Sequence, residues 1–130
     1  MDAASNAPEA RHYQSQGLRL HFTDWGNALA PPLILVHGSL DHSRSWDQVA
    51  QALRGNFHVV APDLRGHGES DWARGSSYSQ ADHVYDLKRL IESEGFGKVA
   101  IVGHSMGGMV GLTYAGAFPD KFRSWPSSTA

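Results

Sequence analysis

Hydrophobic positions follow two kinds of pattern along the chain. Between Tyr13 and Trp25 they alternate: Leu18, Leu20 and Phe22 share one face, with Arg19, His21 and Thr23 on the other. Period two is that of a strand buried on one side, and Gly17 marks a turn before it. Further on the runs become continuous. Leu33-Ile34-Leu35-Val36 ends in His37-Gly38, Phe57–Ala61 ends in Pro62-Asp63, and Lys98–Val102 ends in Gly103. Short runs that are apolar on both faces predict buried parallel strands. Between the runs the period becomes helical. Trp46, Val49, Ala50 and Leu53 stand at i, i+3, i+4 and i+7 before Gly55. Val84, Leu87, Leu90 and Ile91 form a second stripe before Gly95, and Ser79 with Asp82 predicts a capping box at its start.

Strands alternating with helices predict an α/β domain with a mostly parallel sheet, flanking helices and right-handed crossovers. The Gly- and Ser-rich stretch Gly66–Ser79 predicts a loop over the strand ends, where such sheets place their sites. Residues 1–10 are small and polar and predict a disordered tail, with the domain running over 11–123.

Composition narrows the functions open to this domain. At 130 residues the chain has room for one domain, and 41% hydrophobic against 18% charged residues is too apolar for a disordered chain. A net charge of -2 with no basic stripe argues against a nucleic-acid partner. Without cysteine there is no disulfide scaffold and no thiolate metal site. The eight histidines are scattered rather than paired at i, i+4, so neither a metal nor another cofactor is expected. The start of the chain lacks the basic and apolar regions of a signal peptide, and the longest apolar runs are far too short for a bilayer. The expectation is a soluble, cytoplasmic protein with no membrane partner.

The segment that carries chemistry is Gly103-His104-Ser105-Met106-Gly107, a G-x-S-x-G placed between a buried strand and a helix. A serine on a sharp strand-to-helix turn is strained and exposes its hydroxyl. Side chains two residues to either side would collide, so Gly103 and Gly107 flank it. The helix that starts at once aims its N–H groups and dipole at the site, and the Met106 N–H points where an oxyanion would form. A second donor is needed from the loop after an earlier strand. Ser39 in His37-Gly38-Ser39 fits, with Gly38 letting the backbone turn. His37 itself reads as a hydrogen-bonded structural histidine rather than a general base. Asp63, Arg65 and His67 read as a hydrogen-bonded loop shaping the pocket rim. Trp46 reads as core, while His42, Arg44, Trp72 and Tyr78 are candidates for a pocket edge.

Together the strand–His37-Gly38-Ser39 opening, the Asp63–Ser70 loop and the Gly103–Gly108 elbow resemble the α/β-hydrolase family, in its serine-nucleophile branch. The likeness runs from about residue 11 to Arg123. It implies a truncated α/β-hydrolase fold with Ser105 as nucleophile and Ser39 and Met106 as oxyanion donors, as in esterases, meta-cleavage-type hydrolases and lipase-like enzymes. The implied substrate is a small ester or related acyl compound. A dehalogenase or a typical epoxide hydrolase would carry Asp where this chain has Ser105. The alternative is a non-catalytic relative that keeps the pocket as a binding module.

The family order is serine, acid, histidine. After Ser105 this chain has one carboxylate, Asp120, and no histidine. The resemblance therefore implies an N-terminal half with little or no activity. It also implies an unpaired, apolar sheet edge beside the 98–103 strand, marginal stability and self-association; a monodisperse monomer with a sharp cooperative melt would contradict this. Residues 124–130 form an atypical tail, since Trp125–Ala130 has no β pattern where the family starts a buried strand. Written with TCN serine codons and shifted by one base, that stretch encodes an apolar run. A frame slip is the expectation, set against a genuine short variant or a trimmed chain. The gene decides: the shifted frame should continue for roughly a hundred codons and supply the acid and the histidine.

Overall fold

Leu33 and Leu35 turn to one side of their strand and Ile34 and Val36 to the other, and all four are fully buried. Both sides must therefore be covered, which is what the continuous apolar run requires. The structure, a computed structural model, describes residues 7–122. It contains β1 (Glu9–Ser15), β2 (Leu18–Asp24), β3 (Pro32–Val36), α1 (Asp47–Leu53), β4 (His58–Pro62), α2 (Gln80–Ser93), β5 (Ala100–Gly103) and α3 (Met106–Ala117). Short 3₁₀ turns at Ser43–Trp46 and Pro119–Lys121 complete it.

The sheet order is β1-β2-β4-β3-β5. β3 pairs in parallel with β4 and with β5, whereas β2 is antiparallel to both β1 and β4. Only β2 thus runs against the others. On one face α2 and α3 cover Ile34, Val36, Val60, Leu20 and Phe22 through Leu87, Leu90, Ile91, Val110 and Tyr114. On the other α1 covers Leu33, Leu35, Val59, Ala61 and Ala100 through Ala50, with Trp25 beside it. β5 is the outer strand, and its start is flanked by a single parallel bridge from Val99 to Phe122. Among the described residues no helix is long and apolar enough to cross a membrane.

The capping box at α2 is present in full: Ser79 Oγ accepts from the Asp82 N–H, and the Asp82 carboxylate accepts from the Ser79 N–H. Several expectations need correction. Glu9 and Ala10, read as tail, already pair with Asp24 and Thr23 in β1. That strand has no apolar alternation; its main chain joins β2 through a two-residue loop, Gln16-Gly17, with both φ positive. β2 is not half-exposed, because His21 and Thr23 are buried by partners on β4 and the loop beyond it. Val49 is 39% exposed and does not belong to the buried stripe, since a helix of two turns covers the sheet with Ala50 and Leu53 alone. The third run starts as a strand at Ala100 rather than Lys98, and it is not a fully buried one: as the outer strand, β5 is only partly buried at Ile101 and Val102 and exposed at Gly103. The 124–130 tail lies outside the described residues.

Candidate active site

β3 and β5 run side by side and end together, Val36 opposite Gly103. Their next residues, His37-Gly38 and His104-Ser105, are therefore brought together at the C-terminal edge of the sheet. The His104 N–H donates to the Val36 carbonyl at 3.0 Å, which extends the pairing one step into the turn. Ser105 has φ 56° and ψ −117° and sits at the N-cap of α3 with an exposed side chain that makes no capping hydrogen bond. For a residue with a Cβ this conformation costs on the order of 1–3 kcal/mol and persists only where neighbours impose it.

The neighbours that impose it are the closely packed Gly103 and Gly107. A Cβ at Gly103 would stand 2.5 Å from the carbonyl carbon and oxygen of Gly107, and one at Gly107 would fall on the carbonyls of Val36 and His37. α3 thus begins in direct backbone contact with the end of β3. Its first N–H groups are partly used locally: Gly107 donates to His104 O, and Gly108 and Met109 donate to Ser105 O. Among the described residues, the N–H groups of Met106 and Ser39 donate to no protein acceptor. Ser39 follows Gly38, whose own Cβ position lies 3.4 Å from Ser105 Cβ. The residues singled out in the sequence, Ser105, Met106, Gly103, Gly107, Gly38 and Ser39, thus stand around one turn.

Asp63, at the end of β4, holds the loops behind this turn. Its carboxylate accepts from His21 Nδ1 at 2.7 Å, from the Ser43 N–H at 2.6 Å and from the Glu69 N–H at 2.9 Å. Burial alone would push this carboxyl up, but the hydrogen bonds from His21, Glu69 and Ser43 outweigh it and hold the group at about 2 against an ordinary 3.8. A carboxyl with a depressed folded-state pKa adds stability above its unfolded value, and that stability disappears as pH falls through the folded value. The urea midpoint is therefore expected to fall between pH about 4 and 2. In Asp63→Asn the midpoint should be lower at neutral pH and its drop over that window smaller. Arg65 is equally structural: only 2% exposed, it forms a two-pronged pair with Asp86 at 2.7 and 2.8 Å. His67 Nδ1 lies 3.0 Å from the Arg65 carbonyl.

Of the pocket-edge candidates, Trp72 and His42 are exposed, while Tyr78 folds its hydroxyl back on Ala73. Arg44 pairs with Asp47. Asp120 lies in the 3₁₀ turn beyond α3, at the opposite end of that helix from Ser105. One residue escaped the sequence reading: Leu40, next to Ser39, has φ 61° and is 95% exposed, so an apolar side chain stands at the rim of the turn. Nothing in the local pattern announces it, because a leucine at positive φ has no sequence signature. Two concavities, of about 280 and 330 Å³, lie elsewhere: one between α2 and the end of α3, the other beside Trp25. Ser105 itself is exposed, as are Gly103 and His104 before it.

A profile of the alpha/beta hydrolase fold matches residues 31–128. Epoxide hydrolase 4 of Mus musculus is 34% identical over 108 residues, which are 82% of this chain and 30% of that protein. Lipase LipV of Mycobacterium tuberculosis is 36% identical over 102 residues, 78% of this chain and 38% of that protein. The crystal structure of an alpha/beta hydrolase from Novosphingobium aromaticivorans superposes with a TM-score of 0.84 at 32% identity, covering 89% of this chain and 42% of that chain. The chain spans less than half the length of each of these relatives. With most of its residues matched and the strand-to-helix turn in place, the chain belongs to the alpha/beta hydrolase fold family.

Proposed function

We propose that the chain carries the nucleophile half of a serine hydrolase site for carboxylic esters or related acyl compounds. The observation that carries this is the conformation of Ser105, φ 56° and ψ −117°, between β5 and α3. A strained serine with an exposed hydroxyl at a helix N-terminus is what attack on a carbonyl needs. Ser105 Oγ bonds to the acyl carbon while its proton passes to a base. The carbonyl oxygen becomes an oxyanion held by the Ser39 and Met106 N–H groups. Collapse breaks the bond to the alcohol, which leaves with a proton, and water then hydrolyses the acyl-enzyme.

A serine also favours esters over epoxides, although an epoxide hydrolase is among the relatives. Opening an epoxide with a carboxylate leaves an ester that water cleaves; opening it with serine would leave an ether that water does not cleave. No histidine among the described residues is hydrogen-bonded to Ser105, and that favours a second reading in which the turn only binds. A fluorophosphonate probe separates the two. The expected result is slow labelling of the chain confined to Ser105 and absent in Ser105→Ala, with ester turnover no more than roughly a thousandfold over water. No labelling at all favours the binding module, and fast turnover that survives Ser105→Ala removes Ser105 from the chemistry.

A further inference from the structure

His37, the first residue after β3, is buried with both ring nitrogens engaged by backbone groups. The Leu64 N–H donates to Nε2 at 3.0 Å, so Nε2 carries no proton. The proton is then on Nδ1, which donates to the Gly38 carbonyl at 2.6 Å. Burial is the main cause that lowers the pKa of this ring, which keeps it neutral, with one donor and one acceptor. The His67 ring packs against it at 5.1 Å between centroids.

The carbonyl that His37 holds belongs to the Gly38–Ser39 peptide. There are no cis peptide bonds among the described residues, and in a trans unit C=O and N–H point in opposite directions. With its carbonyl on the ring, this unit turns the Ser39 N–H away from the ring. Gly38 itself packs against the elbow: its Cβ position would lie 3.1 Å from His104 Nδ1 and 3.4 Å from Ser105 Cβ. A peptide that follows glycine turns over at little cost, so its orientation needs a fixed partner. Among the described residues only one other donor reaches this carbonyl, the Asp41 N–H at 3.3 Å.

We propose that His37 is a positioning residue: through its hydrogen bond to the Gly38 carbonyl it sets the Gly38–Ser39 peptide so that the Ser39 N–H faces the Ser105 turn. The use of that N–H for an oxyanion rests on the reading of Ser105 as a nucleophile; the orientation of the peptide does not.

Two variants divide the ring's two bonds. His37→Asn keeps a donor where Nδ1 stands and loses the acceptor for Leu64. His37→Gln keeps an acceptor near Nε2 and loses the donor to Gly38. Crystal structures of both should show the 38–39 peptide unchanged in H37N and turned in H37Q, although both lose one ring bond and some thermal stability. Fluorophosphonate labelling of Ser105 should stay within a few-fold of the parent in H37N and slow about a hundredfold in H37Q, the usual effect of losing one oxyanion donor. An unchanged peptide in H37Q, or equal slowing in both variants, overturns the proposal. A peptide that turns only in H37Q while the parent Ser105 never labels supports the positioning role and sinks the hydrolase reading instead. In the parent protein ¹⁵N NMR of the ring should show Nδ1 protonated and Nε2 bare. The opposite tautomer overturns the proposal without any variant having to fold.

Discussion

Gly107→Ala is expected to destabilise the chain by about 3 kcal/mol or more, and to lower its melting temperature by on the order of 10 °C. The added methyl group would collide with the carbonyl oxygens of Val36 and His37 and with the Val36 carbonyl carbon. These are backbone atoms at the end of an internal strand, so no side-chain rotation relieves the clash. Either α3 lifts off the sheet or the end of β3 moves, and both disturb the Ser105 turn. Gly116 in the same helix is the control, because a Cβ there meets nothing within 4 Å. Gly116→Ala should raise stability by up to about 1 kcal/mol, from helix propensity alone. Thermal melts of the pair test this: equal melting temperatures for Gly107→Ala and the parent would mean that α3 does not dock on β3 as described.

Asp86→Ala is expected to cost about 3–5 kcal/mol, because it leaves the Arg65 guanidinium buried without its counter-charge. Arg65 and Asp86 are 2% and 1% exposed. The pair joins three parts of the chain: α2 through Asp86, the loop after β4 through Arg65, and the β1–β2 hairpin through Ser15 Oγ, 2.5 Å from Asp86 Oδ1, and Gln16, 3.0 Å from Arg65 Nη2. Of the remaining guanidinium contacts, Ser77 O and Gln16 are neutral, and the more exposed Asp82 carboxylate, 3.9 Å from Nη1, is too distant to replace the two-pronged pair. Removing both partners should cost less than removing Asp86 alone, so Arg65→Met with Asp86→Leu is expected to recover part of the loss. Urea midpoints of the single and double variants give the comparison; a double variant no more stable than Asp86→Ala would mean that the cost is lost packing rather than a stranded charge.

Local chemistry made some of this legible in the sequence. The capping box at Ser79 and Asp82, the two-sided burial of Leu33–Val36 and the turn at Ser105 each depend on residues within a few positions of one another. What escaped depends on residues far apart. β1 has a single buried aromatic residue, Tyr13, and is held by main-chain pairing and by Arg11, which reaches Asp24 and Glu94. His21, on what read as the polar face of its strand, and His58, inside an apolar run, are buried against Asp63 and Asp24 at 2.7 and 2.9 Å. Periodicity reports which face a residue occupies; it does not report that a carboxylate from another strand will be waiting there. His37 reads in the sequence as a hydrogen-bonded histidine and is one, but its partner Leu64 is not legible there, since it lies on the far side of α1 and β4 in the chain.

The pairing of β3 with β5 also sets an order of events. Leu33 meets Ala100 across more than half the chain, with α1, β4 and α2 between them. Closing so long a loop comes late in folding, because its entropy is lost before the contact rewards it. On the ribosome the wait is longer still: the hairpin of β1 and β2 can form while the rest is being made, but Ser105 acquires its conformation only once α3 has been synthesised and has docked. Until then the end of β3 is an unfinished edge, and the nascent chain is most exposed to misassembly just before β5 and α3 emerge.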